Sequence, residues 1–161
     1  MARRTDTKRP VLPDAVVCDL VGCPAPTRQS WIRRGLLGST SGGCTLSDAF
    51  ELFVLSKLLA TIGPRDTGFV WPEIQSALRE KLLVGGLVDL VVDLQTKRAV
   101  IVQDRDQLMA AVRTGRATCV FPLADELAAL RENFQRLAER ATPKTGGSAR
   151  GSAVEHRQRQ N

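Results

Sequence analysis

A helix that must fit between two glycines is the tightest constraint in this sequence. Gly22-Cys23-Pro24 reads as a turn and Gly35 as a terminator, so the segment between them is a short cationic helix, predicted over about 26–34. Residues 13–21 ahead of it have the length and apolar content of a supporting helix. Two helices joined so tightly make a helix-turn-helix, whose second helix is shaped to enter a major groove. Thr27, Arg28, Gln29 and Ser30 then lie near the start of that helix, where side chains meet base edges, and Arg33 and Arg34 near its end suit phosphates. Trp31 is its largest apolar group and is expected to anchor it against Leu20, Leu36 and Leu52.

The run Gly22, Thr27, Trp31, Gly35, Leu36 and Leu37 resembles the winged helix-turn-helix of the MerR transcription-regulator family, and Trp31-Ile32-Arg33 is closer to that module's excisionase-like relatives. The resemblance covers roughly residues 15–63. It implies a short wing at about 37–46, with Ser39, Thr40 and Ser41 completing the candidate DNA-binding set. Thr45-Leu46-Ser47-Asp48-Ala49-Phe50 is similar to the entry of the helix that comes after such a wing. There are departures from the pattern. Pro24 stands where a serine cap is usual, so the cap hydrogen bond is expected to be lost or moved. Gln29 and Ser30 occupy positions where MerR-type proteins often carry arginine and an aromatic, and residues 38–45 contain no arginine.

Charge supports a polyanionic partner only where it is located. Residues 1–37 carry seven Lys/Arg against three Asp/Glu, residues 38–141 carry 12 against 13, and residues 142–161 carry four against one. The excess therefore falls on the proposed DNA-reading segment and the tail. Residues 1–12 read as a flexible basic arm and residues 142–161 as a disordered basic tail, since neither has enough apolar surface to fold alone. With no Tyr, five Phe and two Trp, the core must be largely aliphatic. No run reaches the ~18 apolar residues that span a bilayer, and the start lacks the apolar stretch of a signal peptide, which predicts a soluble cytoplasmic protein with no membrane partner. The 18 Arg against five Lys hint at a GC-rich bacterial or phage genome.

Further along, Ser47 to Ile62 is predicted as a helix capped by Ser47, with a Leu52, Leu55, Leu59 and Ile62 stripe, ended by Gly63-Pro64. Trp71-Pro72-Glu73 is predicted to open another helix with the stripe Ile74, Leu78 and Leu82. After Gly85-Gly86 the period changes. Residues 87–94 alternate around Asp89 and Asp93 and place Val88, Leu90, Val92 and Leu94 on one face of a strand. A turn at 95–98, a second strand at 99–102, a helix capped by Asp104 running to Val112, and a third strand at 117–121 make a β-β-α-β unit. The last helix, 122–141, carries Leu123, Leu127, Leu130, Phe134 and Leu137 at alternating steps of four and three. That stripe serves equally to dock on the sheet or to pair two chains.

These readings give an α+β protein: arm (1–12), winged helix-turn-helix DNA-binding domain (13–63), a small β-β-α-β domain with a C-terminal helix (64–141) for dimerisation or an effector, and the tail. The expected work is sequence-specific binding of double-stranded DNA by a homodimeric bacterial or phage transcriptional regulator. Alternatives are an excisionase-like or packaging accessory, or a protein-binding adaptor acting through the C-terminal domain. No enzyme is expected, because no phosphate-cradling glycine loop, zinc-protease helix or nucleophile elbow is present. No cofactor or metal is expected either. Cys18, Cys23, Cys44 and Cys119 lack zinc-knuckle spacing, and the single histidine, His156, sits in the tail.

Overall fold

The computed structural model describes residues 9–82, 89–102, 104–113 and 118–142. The bulk of the arm and of the tail, together with Val88, lies outside them. The first two helices owe their lengths to their glycines. α1 (Asp14–Val21) stops because Gly22 takes φ +73°, letting its N–H reach the Asp19 carbonyl while Cys23 N–H reaches Cys18. α2 (Ala25–Arg33) ends in the same way, with Gly35 at φ +73° bonding Ile32 and Leu36 N–H bonding Trp31. Both are Schellman closures, in which the left-handed residue is almost free for glycine and strained for others.

The segment after α2 forms no wing hairpin in the described structure. It is a loop whose last residue, Cys44, makes an isolated two-bond bridge to Leu12, at 2.9 and 2.8 Å. Gly43 permits this approach, since it sits at φ +103° and a Cβ there would lie 2.9 Å from the Leu12 carbonyl oxygen.

α3 (Leu46–Leu82) differs from expectation at the two helix starts predicted within it. Its cap is Thr45, not Ser47: Thr45 N–H and Oγ1–H both donate to Asp48 at 2.7 Å, and Asp48 N–H returns to Thr45 Oγ1 at 3.3 Å, a reciprocal capping box. Gly63, at φ +79° and ψ 171°, breaks the helix as expected. The chain then re-enters a helix at once, with Pro64 in the first turn where no N–H is needed, so the second segment covers 64–82 and Pro72 lies within it. Pro72 has no N–H to donate to the Gly68 carbonyl one turn back.

β1 (Asp89–Asp93) and β2 (Arg98–Val102) form the expected hairpin, with Asp93 opposite Arg98 and the Asp93 carboxylate accepting from Gln95 and Thr96 N–H to shape the turn. α4 (Arg105–Val112) is capped by Asp104, which accepts from Gln107 N–H at 2.7 Å. β3 (Thr118–Phe121) returns antiparallel beside β1, giving the order β2-β1-β3. Leu90 and Val92 face the core with Ile101, Ala99 and Phe121, while Leu94 is half-buried. Val91 on the opposite face is buried as well, although its cross-strand neighbours Val100 and Val120 are exposed.

α5 (Ala124–Ala141) settles the two uses weighed for its stripe with a third. It packs chiefly on α1 and α3, and Leu123, Leu127, Leu130 and Phe134 are buried there within their own chain. Lys57 pairs with Glu126 at 2.6 Å, and Arg131 lies 5.8 Å over the Phe50 ring. Buried side chains from Leu12 to Ala138 join in one core cluster, so the expected boundary at Gly63 coincides with the bend of α3 and not with a gap in packing.

Phe134 is fully buried at the centre of this contact. Phe134→Ala is therefore expected to lower the unfolding free energy by about 3–5 kcal/mol, read as a reduced urea midpoint. A loss below about 1 kcal/mol would place α5 outside the core.

Candidate nucleic-acid interface

α2 has two faces separated by the helical period. Gln29, Arg33 and Arg34 are exposed, Ser30 and Thr27 are half-buried beside them, and the helix contains no acidic residue. The opposite face carries Trp31 and Ile32, both packed against the core, and Arg28. Among the described residues neither Arg33 nor Arg34 makes an ion pair. Their charges are left to solvent or to a ligand.

The start of α2 offers few free backbone donors. Pro24 precedes the helix without a side-chain cap bond, Pro26 has no N–H, and the Thr27 and Arg28 amides both donate to the Pro24 carbonyl, at 3.0 and 3.1 Å. The lost serine cap is thus not replaced by another side chain. A helix start normally binds anions through its orphan N–H groups, and here that capacity is reduced. Contacts to phosphate fall to side chains.

Arg28 does not share the exposed face. It is 3 % exposed, and its guanidinium pairs with Asp14 of α1 and donates to Thr40 Oγ1 at 3.0 Å and to Cys44 Sγ at 3.2 Å. Thr40 and Cys44 in turn donate to Asp14 Oδ1, at 3.1 and 3.0 Å. This ring ties α1, α2 and the loop at 38–44 together. Arg28 and Thr40, named from sequence as contact residues, are in the structure the joints of that ring. Ser39 and Ser41 beside Thr40 are exposed.

The electrostatics of the ring come from burial and pairing. Burial pushes the Asp14 carboxyl up, but the Cys44 thiol, the Arg28 guanidinium and the Thr40 hydroxyl together hold it below its ordinary 3.8. Burial, then the bond to Asp14, pushes the Cys44 thiol up to about 12, so at neutral pH it keeps its proton and donates it. Burial likewise raises Cys18 and Cys23. The Cys18 and Cys23 thiols behave as buried hydrophobes, whereas Cys44 is a polar member of the ring. Among the described residues no group of three His, Cys, Asp or Glu stands together to hold a metal ion, and no helix is long and apolar enough to cross a membrane.

Sequence reasoning missed the partners that fix α2 from behind. Trp71 Nε1 donates to the Leu36 carbonyl at 2.6 Å and Gln75 Nε2 to the same oxygen at 3.4 Å. Gln75 also donates to buried Glu51 at 2.7 Å, and Arg79 Nε reaches Glu51 at 2.6 Å. No local signal marks a contact across 35 residues. The only hint was an indole N–H, which needs an acceptor when buried.

The ring makes a pH prediction whose sign is fixed by the depressed carboxyl. Asp14 favours the folded state above its unfolded value near 3.8, and that contribution is lost as pH falls through its lower folded value. Because the Asp14 side chain is 39 % exposed, solvent screens the pair. Asp14→Asn, which leaves the Arg28 charge without its counter-ion, is expected to cost about 1–3 kcal/mol at pH 7. The gap to wild type should narrow as pH falls below 3.8. Urea denaturation at a series of pH values measures it, and a gap that stays constant into acid would remove the ion pair from the account.

Comparison with models of known protein families finds no match to this chain, and no curated protein is similar to it at a significant level.

Proposed function

We propose that α1, the turn at 22–24 and α2 form a helix-turn-helix that binds double-stranded DNA in a sequence-specific manner, and that the protein is a bacterial or phage transcriptional regulator. The observation that carries this reading is the exposed face of α2. A helix with no acidic residue presents Gln29, Arg33 and Arg34 outward, and its inward arginine is tied to α1 and to the loop after it. A rigid cationic helix with one amide side chain beside its charges is suited to a groove walled by phosphates. In this reading exposed Gln29 pairs with adenine in bidentate fashion, the exposed arginines pair with phosphate, and exposed Ser39 and Ser41 meet the neighbouring backbone.

Nine residues at about 1.5 Å each make α2 about 14 Å long, enough to read only a few base pairs. A regulator normally doubles that reach by pairing two chains. The apolar stripe of α5, the first candidate for such pairing, is buried in its own chain. This favours, as a second reading, an excisionase-like accessory that binds DNA as a monomer.

Replacing Arg33 and Arg34 together by alanine removes two phosphate contacts. Binding to all sequences should weaken, and the slope of log K against log salt should fall by about 1.8, at about 0.9 per neutralised phosphate. Gln29→Ala should instead leave the salt slope unchanged and relax preference at one base pair by about 1–3 kcal/mol. Fluorescence anisotropy over a salt series, on variants with wild-type circular dichroism, reads both. A folded double-arginine variant with unaltered affinity and slope would rule out this face of α2.

A further inference from the structure

The second segment of α3 grips two different parts of the molecule from two faces. Phe69 and Glu73, one turn apart, face the β1–β2 hairpin. Lys97 Nζ lies 3.8 Å over the Phe69 ring, Ala99 N–H donates to Glu73 Oε2 at 3.1 Å, and Arg98 Nε lies 3.5 Å from Glu73 Oε1. Trp71 and Gln75, also one turn apart and offset by two residues, point the other way and hold the Leu36 carbonyl. Two residues are about 200° of helix rotation, so these pairs lie on opposite sides. Leu36 carries the N–H that closes α2 onto the Trp31 carbonyl. The same helix thus holds an edge strand at one side and the carboxyl end of α2 at the other.

The helix is also jointed on its amino-terminal side. Gly63, at non-helical φ/ψ, breaks it outright. On the carboxyl side of Gly63 the rod that carries Phe69, Trp71, Glu73 and Gln75 keeps helical φ/ψ to Leu82. A helix that keeps its internal geometry and is gripped on two faces passes a displacement at one grip to the other, and the packing of Val70, Trp71, Ile74 and Leu78 in the common core makes the two move together.

We infer that this segment is a lever through which Glu73, Trp71 and Gln75 couple the β-sheet to the position of α2. They act as positioning residues, and the sheet becomes the place where a change elsewhere in the molecule reaches the proposed reading helix. The coupling itself stands on the contacts of α3. Only its consequence for DNA rests on the function proposed above.

Hydrogen exchange of the full chain without DNA tests the coupling, so its failure is separate from failure of the DNA-binding reading. Glu73→Ala removes the acceptor of Ala99 N–H at the sheet end. Exchange at the distant Gly35 and Leu36 amides should accelerate about fivefold, the ratio for loss of one net hydrogen bond. The equivalent Gly22 and Cys23 amides, which close α1 in the same geometry away from the lever, should change by less than about twofold. Glu73→Gln keeps a carbonyl acceptor and should restore the Gly35 and Leu36 rates. From the other end, Trp71→Phe removes the donor to Leu36 and should accelerate exchange at Ala99, as reciprocity of coupling requires. This second variant decides the matter if Glu73→Ala does not fold. Equal acceleration at all four closing amides, or none at Gly35 and Leu36, would overturn the lever.

Discussion

Burying one guanidinium sets the terms for the amino-terminal half of this protein. Arg28 has almost no solvent contact, and an arginine cannot shed its charge to escape burial. It must therefore be surrounded by acceptors, and these come from two separate pieces of chain: Asp14 at the start of α1, and Thr40 and Cys44 in the loop after α2. The cost of an unpaired buried charge, several kcal/mol, exceeds any single contact those segments make elsewhere. That cost fixes their mutual placement. The Leu12–Cys44 bridge and the glycine at position 43 are the backbone conditions that let Cys44 reach the ring.

The same interaction sorts the residues of α2. With Arg28, Trp31 and Ile32 turned inward, the helical period leaves Gln29, Arg33 and Arg34 outward, so the inner face of the helix decides the chemistry of the outer one. The back of this arrangement is held by Trp71 and Gln75, and α5 closes it by laying its apolar stripe on α1 and α3. Joined by one core, the expected DNA-reading half and the sheet cannot move independently without opening buried packing.

Much of the fold was legible because its signals are local. Gly22 and Gly35 ended the first two helices where expected, Asp104 capped α4, and the alternation around Asp89 and Asp93 gave the first strand of a β-β-α-β unit. Errors arose where a local rule met a competing local rule. Ser47 is an acceptable cap, but Thr45 has Asp48 three residues on and so satisfies two donors reciprocally. Pro72 is a good helix opener, but Pro64 beside Gly63 opens the helix first. The inward turn of Arg28 was illegible for a different reason. A cation in a cationic helix reads as surface, and only the acceptors brought from residues 14, 40 and 44 make its burial possible. The α5 stripe showed that a face is buried without showing against what, since leucines at that spacing fit a sheet, a second chain or, as here, two helices.

The central claim is that the outward face of α2 reads duplex DNA. Selection of duplexes from a random-sequence library by the purified full-length chain, with sequencing of the bound pool, tests it most directly. The account predicts enrichment of a short motif of a few base pairs containing an invariant adenine, weakened at that position when Gln29 is alanine. A bound pool with no sequence preference over the input would contradict it.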